Sequence, residues 1–364
     1  MKNKLIIIIS IIIIIVAGAL YLLWSDEDND SAINNINQFK KNINSNSSGN
    51  NNNTDVDQNP GCSDDLVFTN VFVEPNNIDS IGPIGALDGG SHGRSYVAVK
   101  EGGQVPVYAP GDATLEYIVY ARRGPSVDYG EYGLWFRAGC DTVFLLDHLD
   151  SLSEELQALA PTEFSESSAT GGPVIGYQVK AGELLAYTDG TDQARTFDFL
   201  VLDRSKQVEY INPDRFEWDQ NNFSQCPYDL FTEDLKNEYY SLFNEPNNIN
   251  KNCGTPSYDI AGTAAGAWFQ GEDTDLSGRW LTFGTYTSYS GLMIRKDAGR
   301  DFTVRDYDPV IKPEDMKPGD EVCYDYNGNW AYAKLESAEQ LLVATGTGDC
   351  PNNFSNDQAE TWIR

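Results

Sequence analysis

Thr142-Val-Phe-Leu-Leu-Asp-His-Leu-Asp150 is an apolar run from Thr142 to Leu146, too short for a stable helix and closed by acidic and polar residues. Such a run reads as a buried strand that ends in a turn. Similar runs flank it at Leu66–Val73, Ser95–Val99, Leu115–Ala121, Tyr132–Phe136 and Phe197–Leu202, separated by Gly, Pro, Asn and Asp. Their regular spacing predicts an all-β arrangement. Two helices are expected among them. One runs from Ser151 to Leu159 with Asp150 as N-cap and apolar residues at 149, 152, 156 and 159; the other covers Phe231–Phe243, with Leu235, Tyr239 and Leu242 at helical spacing.

A second set of strand-like runs follows a boundary near 208–214: Gly262-Thr-Ala-Ala-Gly-Ala-Trp-Phe269, Trp280–Thr287, Asp301–Arg305, Glu321–Tyr324, Trp330–Leu335 and Gln340–Ala344. Residues 61–207 and 208–364 are therefore expected to form two β-domains, the second a small barrel or sandwich tied by disulfides. Glu-Pro-Asn-Asn-Ile occurs at 74–78 and again at 245–249 with nothing alike around it, which suggests a turn used twice rather than a duplication.

Upstream, residues 1–4 carry Lys2 and Lys4, and residues 5–24 form an apolar run followed by Asp26, Glu27, Asp28 and Asp30. The length matches the roughly 20 residues that span a bilayer, and the charge asymmetry keeps the lysines in the cytoplasm. The expectation is a single-pass transmembrane helix with the bulk of the chain extracellular; Ala17-Gly18-Ala19 leaves a cleaved signal peptide as the alternative. Residues 25–60, rich in Asn, Asp and Ser, have too little to bury to offset their ordering entropy and read as a disordered tether. The formal net charge of −30 excludes nucleic acid as a partner, because phosphate contacts need a basic surface. Six cysteines follow the apolar segment, and in an exported chain they read as disulfides. Nearness in sequence suggests Cys226–Cys253 and Cys323–Cys350, each closing a loop of roughly 27 residues, with Cys62–Cys140 by elimination among fifteen connectivities. There is no Cys-x-x-Cys to support a thiolate zinc site.

With only two histidines, His92 and His148, any zinc hydrolase site would need carboxylates to complete it, since such sites use three protein ligands and keep one position open. Between Gly82 and Asp203 five elements follow one another: His92-Gly-Arg-Ser-Tyr96, Val105-Pro-Val-Tyr-Ala-Pro-Gly-Asp-Ala-Thr-Leu115, Phe144-Leu-Leu-Asp-His148-Leu-Asp150, Val179-Lys-Ala-Gly-Glu-Leu-Leu-Ala-Tyr187 and Thr196-Phe-Asp198-Phe-Leu-Val201. Their order resembles that of the lysostaphin-like M23 peptidases, over about a third of the chain. The resemblance implies a degenerate M23-like β-domain of the duplicated hybrid motif type. It also implies zinc ligands at positions 92, 96 and 198 and catalytic imidazoles at 148 and 196. His92 and His148 are kept, whereas Tyr96, Thr196 and Asp198 stand at the other three positions. A remnant metal site of His92 and Asp198 is expected, with His148 as the vestigial catalytic residue and Asp147, Asp150, Asp189 and Asp192 as helpers.

Two further patterns carry chemistry. Asp273-Thr-Asp275-Leu-Ser277-Gly278 has the alternating oxygen ligands of the first half of a calcium loop, though position twelve is Gly284 rather than Glu. Aromatic residues cluster at Tyr239-Tyr240, Trp268-Phe269, Tyr286 with Tyr289, and Tyr324, Tyr326, Trp330 and Tyr332; these read as the core of a small β-domain or as a sugar-stacking face. The expected function is a membrane-anchored extracellular protein whose inactive peptidase-like domain binds envelope peptide, glycan or another surface protein. An atypical zinc metallohydrolase acting on cell-envelope peptides is the alternative. No cofactor is expected under the first reading, zinc is under the second, and calcium belongs to the acidic turn.

Overall fold

The computed structural model describes residues 66–85, 93–122, 129–163, 175–191, 195–243, 252–285, 290–296, 299–305, 311–326 and 328–364. His92, Cys62, Asp192 and the segments 1–4, 5–24 and 25–60 lie outside them. Among the described residues no helix is long and apolar enough to cross a membrane.

In chain order the first part contains β1 (Ile78–Gly82), β2 (Ser95–Val99), β3 (Val105–Tyr108), β4 (Ala113–Arg122), β5 (Gly130–Arg137), β6 (Thr142–Leu149), β7 (Ser151–Leu152) and helix α1 (Glu154–Gln157). It continues through β8 (Tyr177–Val179), β9 (Leu184–Thr188), β10 (Thr196–Asp203), helix α2 (Asp219–Asn222), β11 (Ser224–Gln225) and helix α3 (Glu233–Ser241). One antiparallel sheet runs β1-β2-β10-β6-β5-β4-β8, with β11 on β10, and a smaller one runs β3-β9-β7. Two-residue alternation sorts the side chains. Val97, Phe144, Leu146, Phe197, Phe199 and Val201 face the main core, while Val143, Leu145, Leu200 and Leu202 bury the opposite face beneath Phe223 and Trp135. Strand β10 is thus covered on both sides, and its burial is nearly continuous.

Three expectations are corrected here. Leu66–Val73 is not a strand: Phe68 makes a single bridge to Phe231, and Phe68, Phe72 and Val73 plug the core against Tyr228 and Tyr239 instead. Helix α1 has four residues and is capped by Ser153, whose Oγ accepts the Leu156 N–H, while Ser151–Leu152 pairs with β9; the Asp150 carboxylate accepts the Asp189 N–H instead. The first core also extends past residue 207. Tyr228, Phe231, Tyr239, Phe243 and Cys253 all belong to it, because an amphipathic α3 finds its apolar surface there. Disulfide Cys226–Cys253 therefore ties the first unit, and Cys323–Cys350 ties the second. Cys140 is disulfide-bonded too.

The second unit is a single antiparallel sheet made from β12 (Gly266–Phe269), β13 (Arg279–Thr285), β14 (Ser290–Lys296), β15 (Gly299–Arg305), β16 (Glu321–Tyr326), β17 (Asn329–Ser337), β18 (Gln340–Thr347) and β19 (Glu360–Ile363), in the order β15-β14-β13-β12-β19-β18-β17-β16. It curls enough for Phe283 on β13 to meet Tyr324 on β16 at 5.0 Å. Trp268, Trp362, Leu281 and Leu341 fill its concave face, and Phe216 packs with Phe269 and Trp280 on the other. Trp268 is fully buried, so it builds core and cannot stack a sugar, whereas Trp330 is half-buried and lies against Gly346, where a Cβ would come within 2.4 Å of the indole.

Candidate functional site

Register places the charged residues. Asp198 on β10 pairs directly with Asp147 on β6, and on its other side with Tyr96 on β2. Both aspartates point to the Leu200/Leu145 face and both are 3 % exposed. Two like charges directly opposite in adjacent strands repel, and burial in low dielectric sharpens the cost, so the pair needs a cation between them. Arg94 provides it. Standing just before β2, on the same face as Tyr96, it donates from a single Nη1 to Asp198 Oδ2 at 2.8 Å and to Asp147 Oδ2 at 2.9 Å, and from Nε to Gln220 Oε1 at 3.2 Å. Burial works against the guanidinium charge, but Asp198 and then Asp147 more than offset it, and its pKa is held above the ordinary arginine value. Asp147 also requires Gly133 opposite it, since a Cβ there would lie 2.7 Å from Oδ1.

His148 reaches this cluster through a bulge. Leu146 pairs with Leu134 and Leu149 with Tyr132, so Asp147 and His148 together oppose Gly133. The extra residue is His148, at φ +65°, a left-handed conformation that costs a non-glycine residue roughly 1 kcal/mol. Several contacts hold it there. His148 Nδ1 lies 2.6 Å from Glu131 Oε2, its N–H donates to Asp147 Oδ1 at 3.1 Å, and its carbonyl accepts Thr188 Oγ1 at 2.8 Å. Nε2 is left facing Asp198 Oδ2 at 3.6 Å. The imidazole is partly open to solvent, while Glu131 behind it is 4 % exposed. Bulges commonly re-aim a side chain at a site, and a strained residue held by many contacts is a reason to look for function there.

Among the described residues, Asp147, His148 and Asp198 can bring their ligand atoms within 4.8 Å of one another. As they stand they do not fit a resident zinc ion, because Arg94 already occupies the space between the two carboxylates. Beside them Asp150 accepts the Asp189 N–H at 2.7 Å and a bond from Gln104 at 3.3 Å. Burial first, and the Asp189 carboxylate next, push Asp150 up to about 6.

The structure therefore joins His148, Asp198 and the helper Asp147. Asp150 and Asp189 form a separate pair, and His92 and Asp192 fall outside the described residues. Arg94 and Glu131 were missed by the sequence reading, although each left a signal. Glu131 is a lone charge in the apolar run Tyr129–Phe136, and Arg94 is the only cation in the His92–Tyr96 element. The acidic turn lies elsewhere and points its oxygens at donors: Asp275 accepts the backbone N–H groups of Glu217 and Trp218 and the Asn221 Nδ2. Asp273 accepts the Arg279 N–H, and Ser277 Oγ meets Thr274 Oγ1.

No known family profile matches the chain, and no curated protein matches it. Among solved structures, the chain is similar to the NMR solution structure of lysostaphin, at 13% identity and a TM-score of 0.25, covering 83% of this chain and 91% of that one. A second structure, the antimicrobial peptidase lysostaphin from Staphylococcus simulans, is 13% identical at a TM-score of 0.24, covering 79% of this chain and 88% of that one. Likeness at that level carries no argument about chemistry, which rests on the residues above.

Proposed function

We propose that this protein is an exported module, held at a cell surface by residues 5–24, whose His148 site binds an envelope peptide or a partner protein without hydrolysing it. The observation that carries the reading is the Arg94 bridge: a guanidinium sits between Asp147 and Asp198 and takes up Asp198, the one carboxylate at a position that the peptidase resemblance assigns to zinc. Tyr96 beside Asp198 supports it further, since a phenol replaces the carboxylate that the peptidase resemblance implies at that position. The apolar segment supports the anchor, and its lysine flank supports a position outside the cell for the rest of the chain.

The test uses the purified full chain. Metal analysis should find no stoichiometric zinc, and envelope peptides should bind saturably and stay intact; cleavage that His148→Ala abolishes would overturn the reading. Deleting residues 5–24 should release the protein from the membrane fraction. One observation favours the rival zinc hydrolase: Glu131 on Nδ1 orients the imidazole as carboxylates do behind metal-bound histidines, leaving Nε2 toward Asp198.

A further inference from the structure

We infer that Arg94 is a built-in substitute for a metal ion, and that Asp147, His148 and Asp198 form a latent transition-metal site which its guanidinium masks. The inference rests on the reading that the native site works without metal. It differs from the zinc set implied by the peptidase resemblance, because it uses Asp147 and His148 in place of positions 92 and 96.

The geometry points there in three ways. The strand register brings two buried carboxylates face to face, which is tolerable only with positive charge between them. The single nitrogen that bridges them, Arg94 Nη1 at 2.8 and 2.9 Å, occupies the position a cation would take. Finally, His148 Nε2 and Asp198 Oδ2 are 3.6 Å apart, close to the edge of about 3.3 Å between ligands of a tetrahedral ion with arms of roughly 2.0–2.1 Å. Glu131 on Nδ1 is the outer carboxylate that fixes the imidazole of such a site. The donor set, one imidazole and two carboxylates, suits zinc or cobalt. Serine at position 94 would empty the bridge and leave room for an ion with a water.

The test titrates cobalt(II), read by its visible absorption, into metal-free full-length protein, with thermal denaturation in zinc as a second readout. Arg94→Ser should bind one equivalent of cobalt, and zinc at about 100-fold above its Kd should raise its Tm by roughly 5–10 °C. Wild type and Arg94→Lys, which keeps a cation in place, should do neither, and Arg94→Ser/His148→Ala should lose the cobalt spectrum. If Arg94→Ser folds only when refolded with cobalt, the inference is supported. It is overturned if that variant folds without binding cobalt, fails to fold even with it, or binds it equally well without His148. Wild type binding cobalt as tightly as Arg94→Ser would overturn it too. Peptide cleavage by wild type is a separate measurement that sinks the non-hydrolytic reading alone.

Discussion

Asp275 offers the sharpest test of how the acidic turn is used. Its carboxylate is 1 % exposed and accepts the Glu217 N–H at 2.7 Å, the Trp218 N–H at 3.2 Å and the Asn221 Nδ2 at 2.8 Å. It thereby supplies acceptors at the start of α2 and links that helix to the loop between β12 and β13. Asp275→Ala takes the buried carboxylate away from those three donors. An unsatisfied buried donor costs about 1–3 kcal/mol, but removing the carboxylate also removes its own desolvation cost and lets a water enter. The expected net loss is about 3 kcal/mol, or roughly 6–12 °C in Tm for a unit of this size. Asp275→Asn keeps one acceptor and turns a donor toward Asn221, so it should lose about half as much. Urea denaturation followed by tryptophan fluorescence reads this directly, since Trp218 and Trp280 lie nearby. A loss below 1 kcal/mol in Asp275→Ala would refute the reasoning. So would a calcium-specific rise in the wild-type Tm, because the oxygens assigned to N–H donors would then be serving a cation.

Other perturbations follow the same logic. Asp150, pushed up to about 6 from an ordinary 3.8 by burial and by Asp189, binds its proton more tightly in the native state than in the unfolded one. Stability should therefore rise as pH falls from 7 toward 4, by about 1–2 kcal/mol for this half-buried group, and Asp150→Asn should flatten the slope in a pH series of urea melts. Opening the Cys226–Cys253 loop by a double Ser substitution should cost about 3.5 kcal/mol on loop entropy alone, measured by chemical denaturation of oxidised wild type against the variant. The Arg364 guanidinium, over the Trp268 ring at 4.1 Å, donates to the carbonyls of Thr263, Ala265 and Ala267. Arg364→Met should cost about 3 kcal/mol, because those carbonyls lose a buried charged donor; a Tm change under 2 °C would show that water replaces it.

Much of the β framework was legible locally. Ser95–Val99 is a strand as read, Phe197–Leu202 and Thr142–Leu146 lie inside longer ones, and both 27-residue cysteine pairs close. Those features depend on composition, short-range periodicity and proximity. Leu66–Val73 misled because an apolar run signals burial without saying whether the backbone pairs. Asp150 misled in a similar way, since an acidic residue before a helical pattern suits a cap equally well as a turn. The bulge at His148 had a trace: the core-facing positions Phe144, Leu146 and Leu149 step by two and then by three.

The sequence by itself determined that this protein is mainly β, that it is strongly acidic, and that any zinc hydrolase site would have to be built from two histidines and carboxylates. It also marked His148, Asp198 and Asp147 as candidates. Only the tertiary structure decided what those residues do. Register sets Asp198 against Asp147 across a strand pair, a bulge turns His148 onto Glu131, and Arg94 crosses from the next strand to neutralise them. Charge balance in a buried site depends on which strands lie side by side, and residues about fifty to a hundred positions apart carry no local sign of that pairing.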